Sequence, residues 1–311
     1  MGQLHRLLTA ALLLLPFLCG CGVFRKAAVD GVSEALVGGG AAEVFASDDD
    51  PELVRDALPF SLKTTEILVA QDPGSPALRL AAAAAFVQYA AAFLDDEADR
   101  LTDSDLERAR ALKARAAGLY QRGRDHALAG LEPAHPGLRG RLRGDPAAAL
   151  AGMGRGEAPL LFWAGAGWAG AISASPGDPT LTADLPLAGA LANRALDLDE
   201  DWGDGIIHEF FIAFEGGRLG ALGGSEQRAR EHFRRAVELT GGRKASPYVS
   251  LAATVSVRRQ DLAEFKALLA QALAVDPAVV PRWRLSNTLS QRKARWLLDH
   301  AADLFVEEEG Q

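Results

Sequence analysis

"QALAVDPA", residues 271–278, decides how the chain folds. An apolar helical run reaches a small residue followed by a large one, Ala272-Leu273. A second apolar residue, Val275, comes shortly after, and Asp276-Pro277 turns the chain. Proline cannot continue a helix, and it pushes the residue before it towards extended backbone. The same phrase recurs as "HALAGLEP" (126–133), "RALDLDED" (194–201) and "RAVELTGG" (235–242). Its alanines, Ala127, Ala195, Ala236 and Ala272, are the small residues needed where two helices of a hairpin touch. The interval from Ala127 to Ala195 equals two tetratricopeptide periods of about 34 residues, and the next two intervals are a few residues longer. An earlier stretch, "ILVAQDPGSPALRL" (67–80), has the same helix–Asp-Pro–helix form. Chance echoes among Ala-rich helices are the competing explanation, but every copy ends in a turn. The expected fold is all-α: degenerate tetratricopeptide-like helix hairpins forming a right-handed α-solenoid.

The rest of the chain agrees. No stretch alternates apolar and polar residues with the Val, Ile and Thr content of strands. "PALRLAAAAAFVQYAAAFL" (76–94) opens on Pro and runs through strong helix formers, apolar nearly all round, which predicts a buried helix. Residues 103–130 repeat Leu106, Ala109, Leu112, Ala116, Leu119 and Tyr120 at helical spacing, with Asp103 or Ser104 as the cap. "EPAHPGLRGRLRGDP" (132–146) reads as a loop. "VGGGAAEVFASDDDPEL" (37–53) reads as a break, and "EGGRLGALGGSEQ" (215–227) as a mobile insertion.

"LLLLPFLCGC" (12–21) ends an apolar run that is too short to span a bilayer and suits a secretory signal. Leu18 and Gly20 before Cys21 resemble the lipobox of bacterial lipoproteins, in which the Cys thiol is acylated and becomes the first residue of the mature chain. A Cys19–Cys21 bridge would be badly strained, and a metal site needs more ligands than two cysteines supply. The reading is therefore a signal peptide over 1–20 and a tether with first short helices over 21–60. The all-α domain occupies 61–311. Cys21 would carry acyl chains such as palmitate, each buried methylene adding about 0.8 kcal/mol to membrane attachment. Gly22 in place of Asp points to the outer membrane, facing the periplasm, with the inner membrane left open. Lys and Arg number 33 against 41 Asp and Glu, a net charge of −8, which argues against a nucleic-acid partner.

Catalytic patterns are missing. "HEFFIAFE" (208–215) starts like a zinc-protease helix, but Ile212 stands where the second ligand belongs. His126, His135, His232 and His300 are scattered, no Gly-x-Ser-x-Gly or phosphate loop occurs, and no metal or cofactor is expected. "LRGRLRG" (138–144) is a solvated loop or a contact for lipid headgroups or an acidic partner.

The most particular stretch is 158–214. Phe162, Trp163 and Trp168 share a helix with Gly165, Gly167 and Gly170. Glycine costs a helix interior about 1 kcal/mol relative to Ala, so this pattern calls for a closely approaching backbone or ligand. Tight helix packing and an apolar groove both satisfy it. With "LDEDWGDGIIHEF" (198–210) and "SPYVS" (246–250), the stretch resembles the T-component lipoproteins (TatT) of bacterial TRAP transporters, a likeness covering roughly residues 20–305. That resemblance implies a non-catalytic, periplasm-facing accessory protein. It implies a homotrimer with a central pore, a periplasmic solute-binding P-component as partner, and an organic-acid or hydrophobic solute. By analogy Phe162, Trp163, Trp168, Trp202, His208, Phe211 and Tyr248 are channel or core residues near the partner surface. A tetratricopeptide scaffold for envelope assembly is the alternative of a different class, and an enzyme has no motif behind it.

Overall fold

The computed structural model describes residues 40–306, so Cys21, the signal segment and the first half of the tether lie outside it. Among the described residues there is no strand, and the chain is all-α. α1 (Gly40–Ala46) and α2 (Pro51–Gln71) come first. α2 runs unbroken across position 60, where the sequence suggested a boundary. α3 (Pro76–Leu101) starts at the Ser75 cap and contains a π-helical stretch, Ala90–Asp95. It is long and apolar enough to cross a membrane, but it packs against α2 and against the two helices that flank it later in the chain, as a core helix does.

α4 (Leu106–Leu131) is capped by Asp105, whose carboxylate accepts from the Arg108 amide at 3.0 Å; neither Asp103 nor Ser104 does this. The stretch expected to be a loop at 132–146 holds α5 (Leu138–Gly144), and α6 (Pro146–Leu150) follows at once. Leu138 and Leu142, four apart, are buried on one edge of α5. Arg139 and Arg143 anchor its other side to Asp125 and Asp184. These contacts outweigh the glycines.

α7 (Ala158–Ser173), α8 (Pro179–Ala183), α9 (Leu185–Leu198) and α10 (Trp202–Gly216) form the middle of the molecule. α11 (Glu226–Thr240), α12 (Ser246–Leu251, continued by the π-helical Ala252–Ser256), α13 (Leu262–Ala274), α14 (Arg284–Asp299) and α15 (Ala301–Leu304) complete it.

Helices pack on near neighbours in the chain: α3 on α4, α4 on α7, α7 on α9, α10 on α11, α12 on α13 and α13 on α14. The four phrase alanines explain why. Ala127, Ala195, Ala236 and Ala272 each have no exposed surface, as small residues between closely packed helices would. The turn after α13 is closed from a distance: Gln291 of α14 donates to the carbonyls of Ala272, Leu273 and Val275 at 3.2, 3.3 and 2.6 Å. Those carbonyls lie at a helix end with no intrahelical partner, and burial would leave them costly if unmet.

Apolar burial divides into two clusters, one from α2 to α10 and one from α10 to the C-terminal helices. α10 belongs to both: Ile207, Phe211 and Phe214 enter the first, Ile212 the second. The two ends of the described body also meet, since α14 packs on α1 and α2. Arg292 forms an ion pair with Glu52, and Arg284 donates to the Ser47 carbonyl at 3.1 Å.

Candidate functional site

α7 explains its own glycines. A side chain on Gly165 would stand 2.8 Å from the Ala188 carbonyl of α9, and one on Gly167 would stand 2.8 Å from the Tyr120 carbonyl of α4. At Gly170 it would strike the Tyr120 ring at 2.6 Å. Of the two explanations the sequence allowed for these glycines, tight helix packing accounts for all three, with backbone opposite Gly165 and Gly167 and the Tyr120 ring opposite Gly170. The aromatic residues occupy what remains of the helix surface.

Five of the seven sequence-nominated residues come together. Phe162 meets Trp163 at 4.9 Å between ring centroids and Trp202 at 5.6 Å. It also meets Phe210 edge-on at 6.0 Å, and Phe210 leads to Phe211 at 5.2 Å. Phe211 stacks on His232 at 4.8 Å, and His232 pairs with His208. This layer runs from α7 through α10 to α11, and joins the two apolar clusters. Phe162, Trp163, His208 and Phe211 are at most 5% exposed, whereas Trp202 and Phe210 are half-buried at its edge. The remaining two stand apart. Trp168 lies under the Arg124 guanidinium, 4.9 Å from its ring, and its buried Nε1–H has no acceptor among the described residues. Tyr248 packs edge-on against Phe233 at 5.5 Å in the second cluster.

Trp202 reaches the layer through an unusual turn. Gly203, Asp204 and Gly205 are all left-handed, with φ of 65°, 57° and 81°. A non-glycine residue there costs about 1–2 kcal/mol. Asp204 tolerates it because Arg282 Nε and Trp283 Nε1 donate to its carboxylate at 2.9 and 3.1 Å. Burial works to raise the Asp204 pKa, but these donors prevail and hold it below the usual carboxylate range. Beside it the buried Lys244 donates to Glu209 at 2.8 Å, and Ser246 donates to the other Glu209 oxygen at 2.5 Å. Asn287 accepts from the Ala245 amide at 2.9 Å and donates to the Arg243 carbonyl at 3.0 Å. Together these groups tie α10, α12 and α14 into one rigid frame behind the aromatic layer.

The histidine pair shares one proton between Nδ1 atoms 2.9 Å apart, so at least one ring must be neutral. Burial lowers both pKa values, His232 to about 4, where the charge of His208 adds to the effect. Both rings are then neutral at pH 7. Nε2 of His208 is buried, lacks a hydrogen bond among the described residues, and sits 3.6 Å from Glu200. The consistent assignment has Nδ1–H on His232 and Nε2–H on His208, directed at that carboxylate.

Sequence reasoning missed Phe210, Phe214 and His232, as well as the Asp204–Arg282–Trp283 and Glu209–Lys244 contacts. The spacing of Phe210 and Phe214, four apart in "HEFFIAFE", was a usable signal. Contacts between residues more than 30 positions apart leave no local trace.

The family described as TRAP transporter T-component (TAtT) matches residues 47–305. An uncharacterised protein of Treponema pallidum (strain Nichols) is 31% identical over 268 residues, 85% of this chain and 83% of that protein. Because the match runs along almost all of the helical body, the chain belongs to the TRAP transporter T-component family.

Proposed function

We propose that the chain is the lipid-anchored, periplasm-facing T subunit of a TRAP-type transporter and that it docks the transporter's solute-binding P subunit. The family match over residues 47–305 carries this reading; at the coarser level it makes the chain an envelope-associated accessory of a transport system, working with other transporter components. Anchoring through Cys21, to the outer membrane, would concentrate the P subunit near the bilayer. A tethered partner binds at an effective concentration set by the tether rather than by the bulk. The half-buried edge of the aromatic layer, Trp202 and Phe210, offers apolar contact to an organic or hydrophobic solute. The threefold assembly implied by the resemblance would find its seam on α2. There Leu53, Phe60 and Ile67 recur seven residues apart at 60%, 80% and 61% exposure.

The test is uptake. Cells lacking the chain should lose most transport of the solute handled by the neighbouring permease. Full-length protein should restore it, and Cys21→Ser should restore much less. Unchanged uptake in the deletion strain would contradict the reading.

A further inference from the structure

The insertion at 217–224 is a built loop, and what it holds up is apolar. Arg218 organises it. Its Nε donates to the Phe214 carbonyl at 2.5 Å, Nη1 donates to the Leu222 carbonyl at 3.1 Å, and Nη2 donates to Glu215 at 3.2 Å. The guanidinium also lies 3.7 Å from the Phe214 ring centroid. Glu215 is buried and takes a second cation, Arg228, at 2.7 Å. Arg258 donates to the carbonyls of Gly216 and Arg218 at 2.5 and 2.9 Å. The chain then folds back so closely that a side chain on Gly224 would stand 2.1 Å from the Arg218 carbonyl. The Gly224 amide closes the ring onto the Leu219 carbonyl at 3.1 Å.

All this internal bonding leaves Leu219 and Leu222 at the tip, 62% and 56% exposed. A buried carboxylate, three arginines and a glycine crossing are a large investment of polar structure for a loop that contributes no side chain to either apolar cluster. A loop held rigid in one shape loses little entropy when a partner closes on its exposed apolar groups. Three arginines, 218, 228 and 258, are bonded into the loop against one carboxylate, Glu215, on a chain whose net charge is −8. The local sign is opposite to that of the whole molecule.

We propose that this loop is the knob through which the chain docks its protein partner: Leu219 and Leu222 enter an apolar pocket rimmed by carboxylates. The inference rests on the T-subunit reading above, which makes the P subunit that partner. A bilayer is the competing surface. It reads only apolar area and charge, and gains nothing from a fixed loop shape.

The experiment titrates the full-length chain in detergent with the P subunit of the same transporter. Leu219→Ser with Leu222→Ser should weaken the dissociation constant at least tenfold while helicity and thermal midpoint stay unchanged, because both side chains lie in solvent. Gly224→Ala keeps the leucines but breaks the crossing, and should weaken binding similarly. Unaltered affinity in the double variant overturns the knob and leaves the T-subunit reading standing. Failure of the unmodified chain to bind overturns both. Co-sedimentation of the unanchored Cys21→Ser chain with vesicles of phosphatidylethanolamine and phosphatidylglycerol, lost in the double variant, would make the loop a membrane contact and overturn its assignment to a protein.

Discussion

Gly167 shows most directly how the centre of the molecule is held. Its absent side chain lets α4 approach until backbone meets backbone. Valine there must push two helices apart, and Gly167→Val should cost about 3 kcal/mol in urea unfolding, the upper end for overpacking. The glycine-rich helix was visible in the sequence, and its demand for close approach followed from composition; which helices approach did not, because Tyr120 and Ala188 lie far away in the chain. Asp204 makes a different test. Asp204→Ala loses the Arg282 and Trp283 bonds and keeps the left-handed strain, while Asp204→Gly loses the bonds but relieves the strain. The alanine variant should therefore be less stable than the glycine variant by about 1 kcal/mol. His232 gives the protein a pH response. Its folded pKa of about 4 lies below the unfolded value of 6.5, so on acidification the unfolded chain takes up a proton that the folded one refuses. Stability should fall as pH drops through that window, and His232→Phe, which preserves the stack on Phe211, should make the decline shallower. An unchanged slope would show that the pair does not titrate as described.

At the level of elements, the phrase alanines carried most of the information. All four are fully buried, which is what their smallness implied. Caps were less legible. Asp103, Ser104 and Asp105 all suit the role by type, and only the direction of the chain selects Asp105. The basic helix α5 was misread because Gly and Pro drew attention away from Leu138 and Leu142, whose four-residue spacing marked a buried edge. Gln291 could not have been foreseen as the cap of another helix. Gln291→Ala strips the carbonyls of Ala272, Leu273 and Val275 of this donor, and should cost about 1–3 kcal/mol by chemical denaturation, more than an exposed Gln→Ala on the same helix.

For the whole molecule, two apolar clusters share α10, and the aromatic layer crosses between them. Contacts of α14 with α1 and α2 then join the two ends of the described body, which is more than a row of independent hairpins. The ion pairs among those contacts are partly exposed, and such pairs contribute little individually. Apolar packing of Leu285 and Leu289 of α14 against the first cluster does more. The family match covers almost all of this body, which makes partnership within the transporter the claim most worth testing. The direct measurement is affinity purification of the full-length chain from its own envelope, with mass spectrometry of what accompanies it. The expected result is the solute-binding subunit of a TRAP transporter in near-stoichiometric amount. Recovery of envelope-assembly proteins without that subunit would contradict the account.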